Sequence, residues 1–535
     1  MKYIAKPHSV SITADHWRLT IRLQQTRSIF WLFIPIAFAF RLIYAGYREL
    51  VPDEAFYWVL SRHLSTGYLD HPPMVAYIIK LGTMLCGPNE LGVRCGAAVL
   101  AFGALMVLLS LSRRVIGSER AVVWLGIIWL CSPLFAGLST IMTPDTPAIF
   151  FSMCALACAV AISETLDPRD PSGSAAGHAA DQYHLRLWFF FGLFTGLAMV
   201  SKYTAVLPAG AVTFALLTSP KGRRQFAQPG IWFAGFVALI VFSPVIHWNA
   251  THEWASFKFQ LHHGLDDAES ITEATGGQRA AIHFISLGKY LLGQIGFFTP
   301  IFFVFAIVIA LIRWIHYREL SLTHRVLLWS GSLPFLFFGF SAFKSGAPGE
   351  ANWPAFGYFP MSLLLLDQIA RQWKKSDLKW LKIGTALALG ITVVLHSPDT
   401  LYKAGFKDHF PRKLNEFFGW RQMARAVDQV RGDALVVTGT HQDAAELAFY
   451  LHGQPEVWVY PLTDTNGQPL SRPTAFDYFP DRPDLSQRKV VLFFSGNVWD
   501  FARIYNFVSI DMLTDLHIPL HGRLRSRRFD VLVHR

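Results

Sequence analysis

The chain has 535 residues, 52% hydrophobic and 15% aromatic, with only 16% charged and a mean hydropathy of +0.32. That balance excludes an ordinary soluble protein and reads as a polytopic α-helical membrane protein. The net charge of +11 resides mostly in short basic clusters between apolar runs, where it sets orientation in a membrane instead of binding nucleic acid.

The first apolar run, 28–47, is long enough to span and follows Lys2, Lys6, Arg18, Arg22 and Arg27. It reads as an uncleaved signal anchor with a cytoplasmic N-terminus. At roughly 20 apolar residues per span, about eleven helices are expected: 28–47, 91–115, 121–138, 147–161, 187–199, 205–217, 231–246, 287–312, 326–342, 355–369 and 381–395. Alternating the loops puts Arg113, Arg114, Arg120, Arg169, Arg186, Lys221, Arg223, Arg224, Arg313, Arg318, Arg325, Arg371, Lys374, Lys375 and Lys379 on the N-terminal side. By the positive-inside rule that side is the cytoplasm. The other side, expected to be periplasmic, receives the loops at 48–90, 145, 202, 247–286 and 344–354 and everything after residue 396.

Within 48–90, the run 74–85 is too short to span and reads as an interfacial segment ended by Gly87-Pro88. Residues 167–181 are small, polar and Pro/Gly/Ser-rich, which predicts a flexible cytoplasmic linker. Beyond 397 the pattern changes: 434–440, 456–460, 489–496 and 529–535 read as strands and the neighbourhood of 443–452 as a helix. The division expected is a membrane domain, 1–396, and a soluble α/β domain, 397–535, that supports the first or guides its acceptor. All five cysteines, Cys86, Cys95, Cys131, Cys154 and Cys158, precede residue 160 and read as small buried hydrophobes.

The chemistry-bearing residues concentrate in the outer loops. Asp53 and Glu54 follow Pro52 just past the first span, where a carboxylate can accept the proton of an attacking hydroxyl or simply be a solvated loop acid. Asp70-His71, fixed by Pro72-Pro73, can ligate a divalent metal or bind a phosphate. Asp145, in TPDTP, fits either a helix cap or a third acid on the same face. Lys202 has no acid beside it in sequence, so a phosphate or snorkelling must relieve its burial, and Arg41 poses the same question. The loop at 247–286 offers His247, His252, His262 and His263 among interfacial tryptophans, and a histidine here can complete a metal site with Asp70. Lys344, Glu350 and Asn352 make a second polar outer loop or an ordinary turn.

Taken in order, PDEAFYW, GYLDHPPMVAYI with GPNELGVR, TPDTP, SKYTAVLP, SPVIHWNATHEWASFKFQ and EANWPAFGYFP resemble the GT-C glycosyltransferases of the protein O-mannosyltransferase and aminoarabinose-transferase superfamily, especially its bacterial branch. The resemblance covers roughly residues 41–360; the C-terminal domain matches in position and type. It implies a transferase that takes sugar from a polyprenyl-phosphate donor on the outer leaflet of a bacterial inner membrane and passes it to an envelope glycolipid or protein hydroxyl. By the same resemblance Asp53 deprotonates the acceptor, with Glu54 beside it, and Asp70 is the second acid, which in one branch helps hold a metal (Mg, Mn or Zn here). That branch carries a phosphate-contacting lysine after the second acid; here the residue is His71, which leaves Lys202, Arg41 and Lys344 as substitute phosphate ligands. Neither a Walker nor a Rossmann fingerprint is present, so no nucleotide is expected. A transporter would instead show repeats and midplane charges, and an inactive envelope scaffold would keep the fold without the chemistry.

Overall fold

The computed structural model describes residues 14–166, 178–265, 277–397, 416–460, 472–480, 482–485, 488–494, 501, 503–505, 507, 509–520 and 523–533. In chain order its main helices are α1 (Ala14–Tyr47), α2 (Pro52–Arg62), α3 (Met74–Cys86), α4 (Glu90–Ile116), α5 (Glu119–Cys131), α6 (Pro133–Thr140), α7 (Asp145–Thr165), α8 (His178–Ser201), α9 (Val206–Leu217), α10 (Pro220–Arg224), α11 (Pro229–Thr251) and α12 (Ala255–Leu265). There follow α13 (Gly277–Phe298), α14 (Pro300–Ile315), α15 (Leu322–Ser345), α16 (Tyr358–Arg371), α17 (Lys375–His396), α18 (Trp420–Arg431) and α19 (His441–Tyr450). Among the described residues 7 helices are long and apolar enough to span a membrane, or up to 10 if bent pairs count as single spans. The protein is therefore an integral membrane protein. The remaining expected span, 355–369, is the 14-residue α16, preceded by a 3-10 turn at Trp353–Gly357.

Proline makes the bends. A prolyl nitrogen has no N–H to donate and its ring disfavours α geometry in the preceding residue, so a new helix starts there. Pro133 follows Ser132, whose hydroxyl accepts from the Phe135 N–H, and α5 turns into α6 by 66°. Pro220 follows Ser219, a cap of the same kind, with a turn of 105°. The straight span expected over 287–312 is corrected: Pro300 ends α13 at Phe298, Thr299 takes φ 70°, and α14 leaves at 112°. The expected linker 167–181 lies outside the described residues up to 177, and its last residues open α8.

The helix ends fall into two groups. At one end Arg114 pairs with Glu164, Ser163 bonds Thr323 at 2.8 Å, Arg325 reaches the Thr218 carbonyl at 2.7 Å, and Arg313, His324 and Arg371 converge on Asp367. These belong to the loops expected on the cytoplasmic side. Asp145, Lys202 and Asn352 meet at the opposite end, so the alternation read from basic residues matches the geometry.

The C-terminal sheet has five strands, β1 (Leu435–Thr438), β2 (Trp458–Val459), β3 (Val490–Phe494), β4 (Ser509–Leu520) and β5 (Arg523–Val533), in the order β2-β1-β3-β5-β4. The first three are parallel, and β5 joins β3 and β4 antiparallel. β4 escaped the sequence reading because SIDMLTDLHIPL mixes acids, a histidine and a proline into its apolar positions. The domain does not stand apart from the membrane part. Phe56, Tyr57, Trp58, Val59 and Leu60 of α2, with Val75 and Ile79 of α3, share one buried core with Met423, Val427, Leu447, Phe449 and Val491. Trp58 meets Phe449 edge to face at 5.0 Å. The amphipathic outer loop thus belongs structurally with the domain that ends the chain. Trp58→Ala should destabilise the protein by about 3–5 kcal/mol through the cavity it leaves, read as a lowered melting temperature in detergent. Truncation after His396 should yield aggregated protein by size-exclusion chromatography.

Candidate active site

The first turn of α2 is fixed from below. Glu54 accepts from Val51 N at 3.2 Å, from Met142 N at 2.9 Å, and from Arg94 Nε at 2.8 Å and Nη2 at 2.5 Å. Arg94 spends its remaining donors on the carbonyls of Ala45 at 3.0 Å, Arg48 at 2.8 Å and Glu49 at 2.8 Å. With Glu54 at 0% and Arg94 at 1% exposure, this is a desolvated ion pair whose geometry must be complete to be stable. The catalytic expectation for Glu54 is corrected: every contact is spent on architecture. Asp53, its neighbour, stays exposed at the helix start. Arg94 stood in the quoted GPNELGVR motif; only the structure shows that its charge points inward.

One turn along α2 from Asp53 lies Tyr57, buried, with the ring of His71 edge-on at 5.6 Å. Burial pushes the Tyr57 phenol well above its ordinary value, and the carboxylates of Asp53, Asp145, Asp70 and Glu54 push the same way. The phenol therefore stays protonated and can donate a hydrogen bond into an acidic cluster.

Asp145 opens α7 after Pro144 without capping through its side chain. It accepts instead from Lys202 Nζ at 2.6 Å and Asn352 Nδ2 at 2.9 Å. The partner missing beside Lys202 in sequence is this acid, 57 residues away, so an ion pair offsets the cost of burying the ammonium. Lys202 can face a phosphate only as a member of that pair.

Asp70 is 5% exposed and takes Arg472 Nη1 at 2.8 Å and Ala475 N at 3.3 Å, while its own carbonyl accepts from Gln260 Nε2 at 2.5 Å. Gln260 gets there through a tight turn between α11 and α12. Glu253 and Trp254 both adopt left-handed φ, 55° and 62°, which is strained for side chains of this size. Asn249 holds the turn, accepting from Trp254 N at 2.7 Å with its carbonyl and from Phe257 N at 3.1 Å with its side chain. At Gly67 a Cβ would come within 2.7 Å of Trp248, so only glycine lets the first loop close on α11. The segment 472–479 completes the wall: Phe476 and Phe479 pack on Phe56 and His63, and Tyr478 on Trp248 and His252.

The other expected ligands lie elsewhere. Arg41 is buried against His396 and Tyr44, apart from the Lys202 cluster. Lys344 is exposed and donates to the Leu265 carbonyl, and Glu350 is exposed on the same loop. His262 is exposed, while the side chain of His263 is outside the described residues. Among the described residues no three His, Cys, Asp or Glu side chains gather as a metal ion requires, and both oxygens of Asp70 already have donors.

Comparison with known proteins bears on the same stretch. The family model for dolichyl-phosphate-mannose-protein mannosyltransferase matches residues 70–171 and 174–248. The chain is 26% identical over 402 residues to the lipid A galacturonosyltransferase RgtD of Rhizobium johnstonii, covering 75% of this chain and 77% of that one. It is 26% identical to a polyprenol-phosphate-mannose–protein mannosyltransferase of Mycolicibacterium smegmatis over 175 residues, 31% of this chain and 34% of the relative. The fold aligns with ArnT of Cupriavidus metallidurans bound to undecaprenyl phosphate, with TM-score 0.59 and 15% identity over 94% of this chain and 97% of that one. Helices interrupted at proline would also suit a transporter, but the ionisable clusters described above gather at the helix ends. The chain is a membrane glycosyltransferase of the GT-C type. Its fold is similar to that of ArnT.

Arg94→Ala leaves a buried, unpaired carboxylate and should cost about 3–5 kcal/mol, with transferase activity lost as α2 loosens; thermal melting and a transfer assay check both. On α19, burial holds His441 below the ordinary imidazole value of 6.5, Arg472 adding to the effect and Asp70 and Asp443 opposing it. The unfolded chain therefore binds this proton first, so the stability it contributes is full above about pH 6.5 and declines as pH falls below it. Melting temperatures from pH 8 to pH 5 should fall less steeply for His441→Asn than for the wild type.

Proposed function

We propose that the protein transfers a sugar from a polyprenyl-phosphate donor to a hydroxyl of an envelope glycolipid, at the outer face of a bacterial inner membrane, with its N-terminus cytoplasmic and its C-terminal domain periplasmic. The observation that carries the reading is the outer-end cluster: an exposed Asp53 at the start of a locked helix, beside the Tyr57 phenol and the Asp145–Lys202–Asn352 triad. Donor chemistry follows the similar proteins, ArnT bound to undecaprenyl phosphate and the polyprenol-phosphate-mannose–protein mannosyltransferase. A lipid A-type acceptor is favoured over a protein because RgtD aligns along three-quarters of the chain and the protein mannosyltransferase along less than a third.

The reaction is a single inverting displacement. An acceptor oxygen attacks the anomeric carbon and passes its proton to Asp53, while the bond from that carbon to the phosphate oxygen breaks and the electron pair leaves with polyprenyl phosphate. Phosphate is already a competent leaving group, so what the site must add is orientation and positive charge for the oxygens that gain it. Tyr57, too weak an acid to ionise, serves as a hydrogen-bond donor.

The test uses purified protein in lipid, a panel of polyprenyl-phosphate sugars and an envelope glycolipid extract, following release of polyprenyl phosphate. Wild type should release it with at least one donor, and Asp53→Asn should be slower by roughly 10²–10⁴-fold, the usual worth of a general base, with donor binding retained. A wild type inert towards every donor would defeat the proposal.

A further inference from the structure

We propose that Arg472, contributed by the C-terminal domain, binds the phosphate of the lipid-linked donor. The inference rests on the donor reading above and deepens it, by assigning a cation to the leaving phosphate.

A phosphodiester carries one negative charge and gains a second as it leaves, so a cation must meet it near Asp53. The cations expected for the task are committed elsewhere. Lys202 is 14% exposed and neutralised by Asp145 at 2.6 Å. Arg94 is enclosed with Glu54. Arg41 is buried against His396, and Lys344 donates to a carbonyl of α12.

Arg472 combines a fixed position with an open edge. Its Nη1 donates to Asp70 Oδ1 at 2.8 Å, and the guanidinium lies over the Phe259 ring at 4.7 Å, so both its place and its plane are set. Yet its side chain is 49% exposed, whereas that of Asp70 is 6%. A guanidinium offers five donors in a planar fork and one carboxylate does not use them all. Asp70, which holds this guanidinium, directly precedes His71, whose ring borders Tyr57. Phosphate oxygens are the acceptors that such a fork engages best. Arg472 follows Asp70 by 402 residues, which is why no local motif announces it.

Binding of undecaprenyl phosphate to the full-length protein in nanodiscs, together with donor KM and kcat, tests the assignment. Arg472→Gln should weaken binding and raise KM at least tenfold with kcat changed much less, and Arg472→Lys should recover part of the loss. Since Arg472→Gln also leaves Asp70 unpaired, the double variant Asp70→Asn/Arg472→Gln separates the roles. For a phosphate ligand the double variant regains the wild-type melting temperature and leaves binding weak. If it regains both, Arg472 is only a brace for Asp70 and the proposal falls. Wild-type affinity in Arg472→Gln overturns the Arg472 assignment alone; a wild type that binds no undecaprenyl phosphate overturns the donor reading and this proposal together.

Discussion

The buried pair of Glu54 and Arg94 is the constraint on which the outer face depends. Arg94 stands near the start of α4, a spanning helix, and its guanidinium gathers the carbonyls that end α1 together with the carboxylate that begins α2. Glu54 in turn holds the backbone of Met142, just before α7. One ion pair thereby registers four helices against each other at the level where they leave the membrane. Such a pair contributes little net stability once desolvation is counted. What it contributes is position: α2 can point in one direction only, and Asp53 with it.

The charges at this face are arranged as nested pairs. Glu54 with Arg94 is fully enclosed, Asp145 with Lys202 partly so, and Asp70 with Arg472 has one buried and one open partner. Exposure rises from the first of these pairs to the third. The innermost pair serves geometry alone, the middle one keeps an ammonium tolerable near hydrocarbon, and the outermost leaves charge for a ligand. Tyr57 stays a proton donor because it is buried, and the acids around it add to the effect.

Much of this face was legible in sequence because it is built from local signals. A proline before an acidic first turn, apolar runs of spanning length and basic clusters in alternate loops each carry their own physical reason; the first reappears at α2, and the apolar runs reappear as spans or bent pairs except 355–369. Pairing was what stayed hidden. Asp53 and Glu54 read as equivalent, since nothing local says that one is enclosed with Arg94 and the other exposed. Asp145 read as a cap or a third acid and Lys202 as a phosphate ligand or a snorkelling cation, and their pairing stayed hidden because the bond crosses two spans. The bend at Thr299 was missed because hydropathy counts Pro300 as one more weakly polar residue, while its effect is on backbone geometry.

The shared core of α2, α3 and the C-terminal domain sets an order of assembly. Phe56, Trp58 and Leu60 are made early, but Phe449, which completes their packing, is made almost four hundred residues later. At a synthesis rate of about 5–20 residues per second, the apolar side of α2 waits tens of seconds for its partner. Until the C-terminal domain folds, that side lacks the packing it has in the finished protein. Biogenesis of this enzyme thus closes the chain from end to start, and the site is formed at the seam.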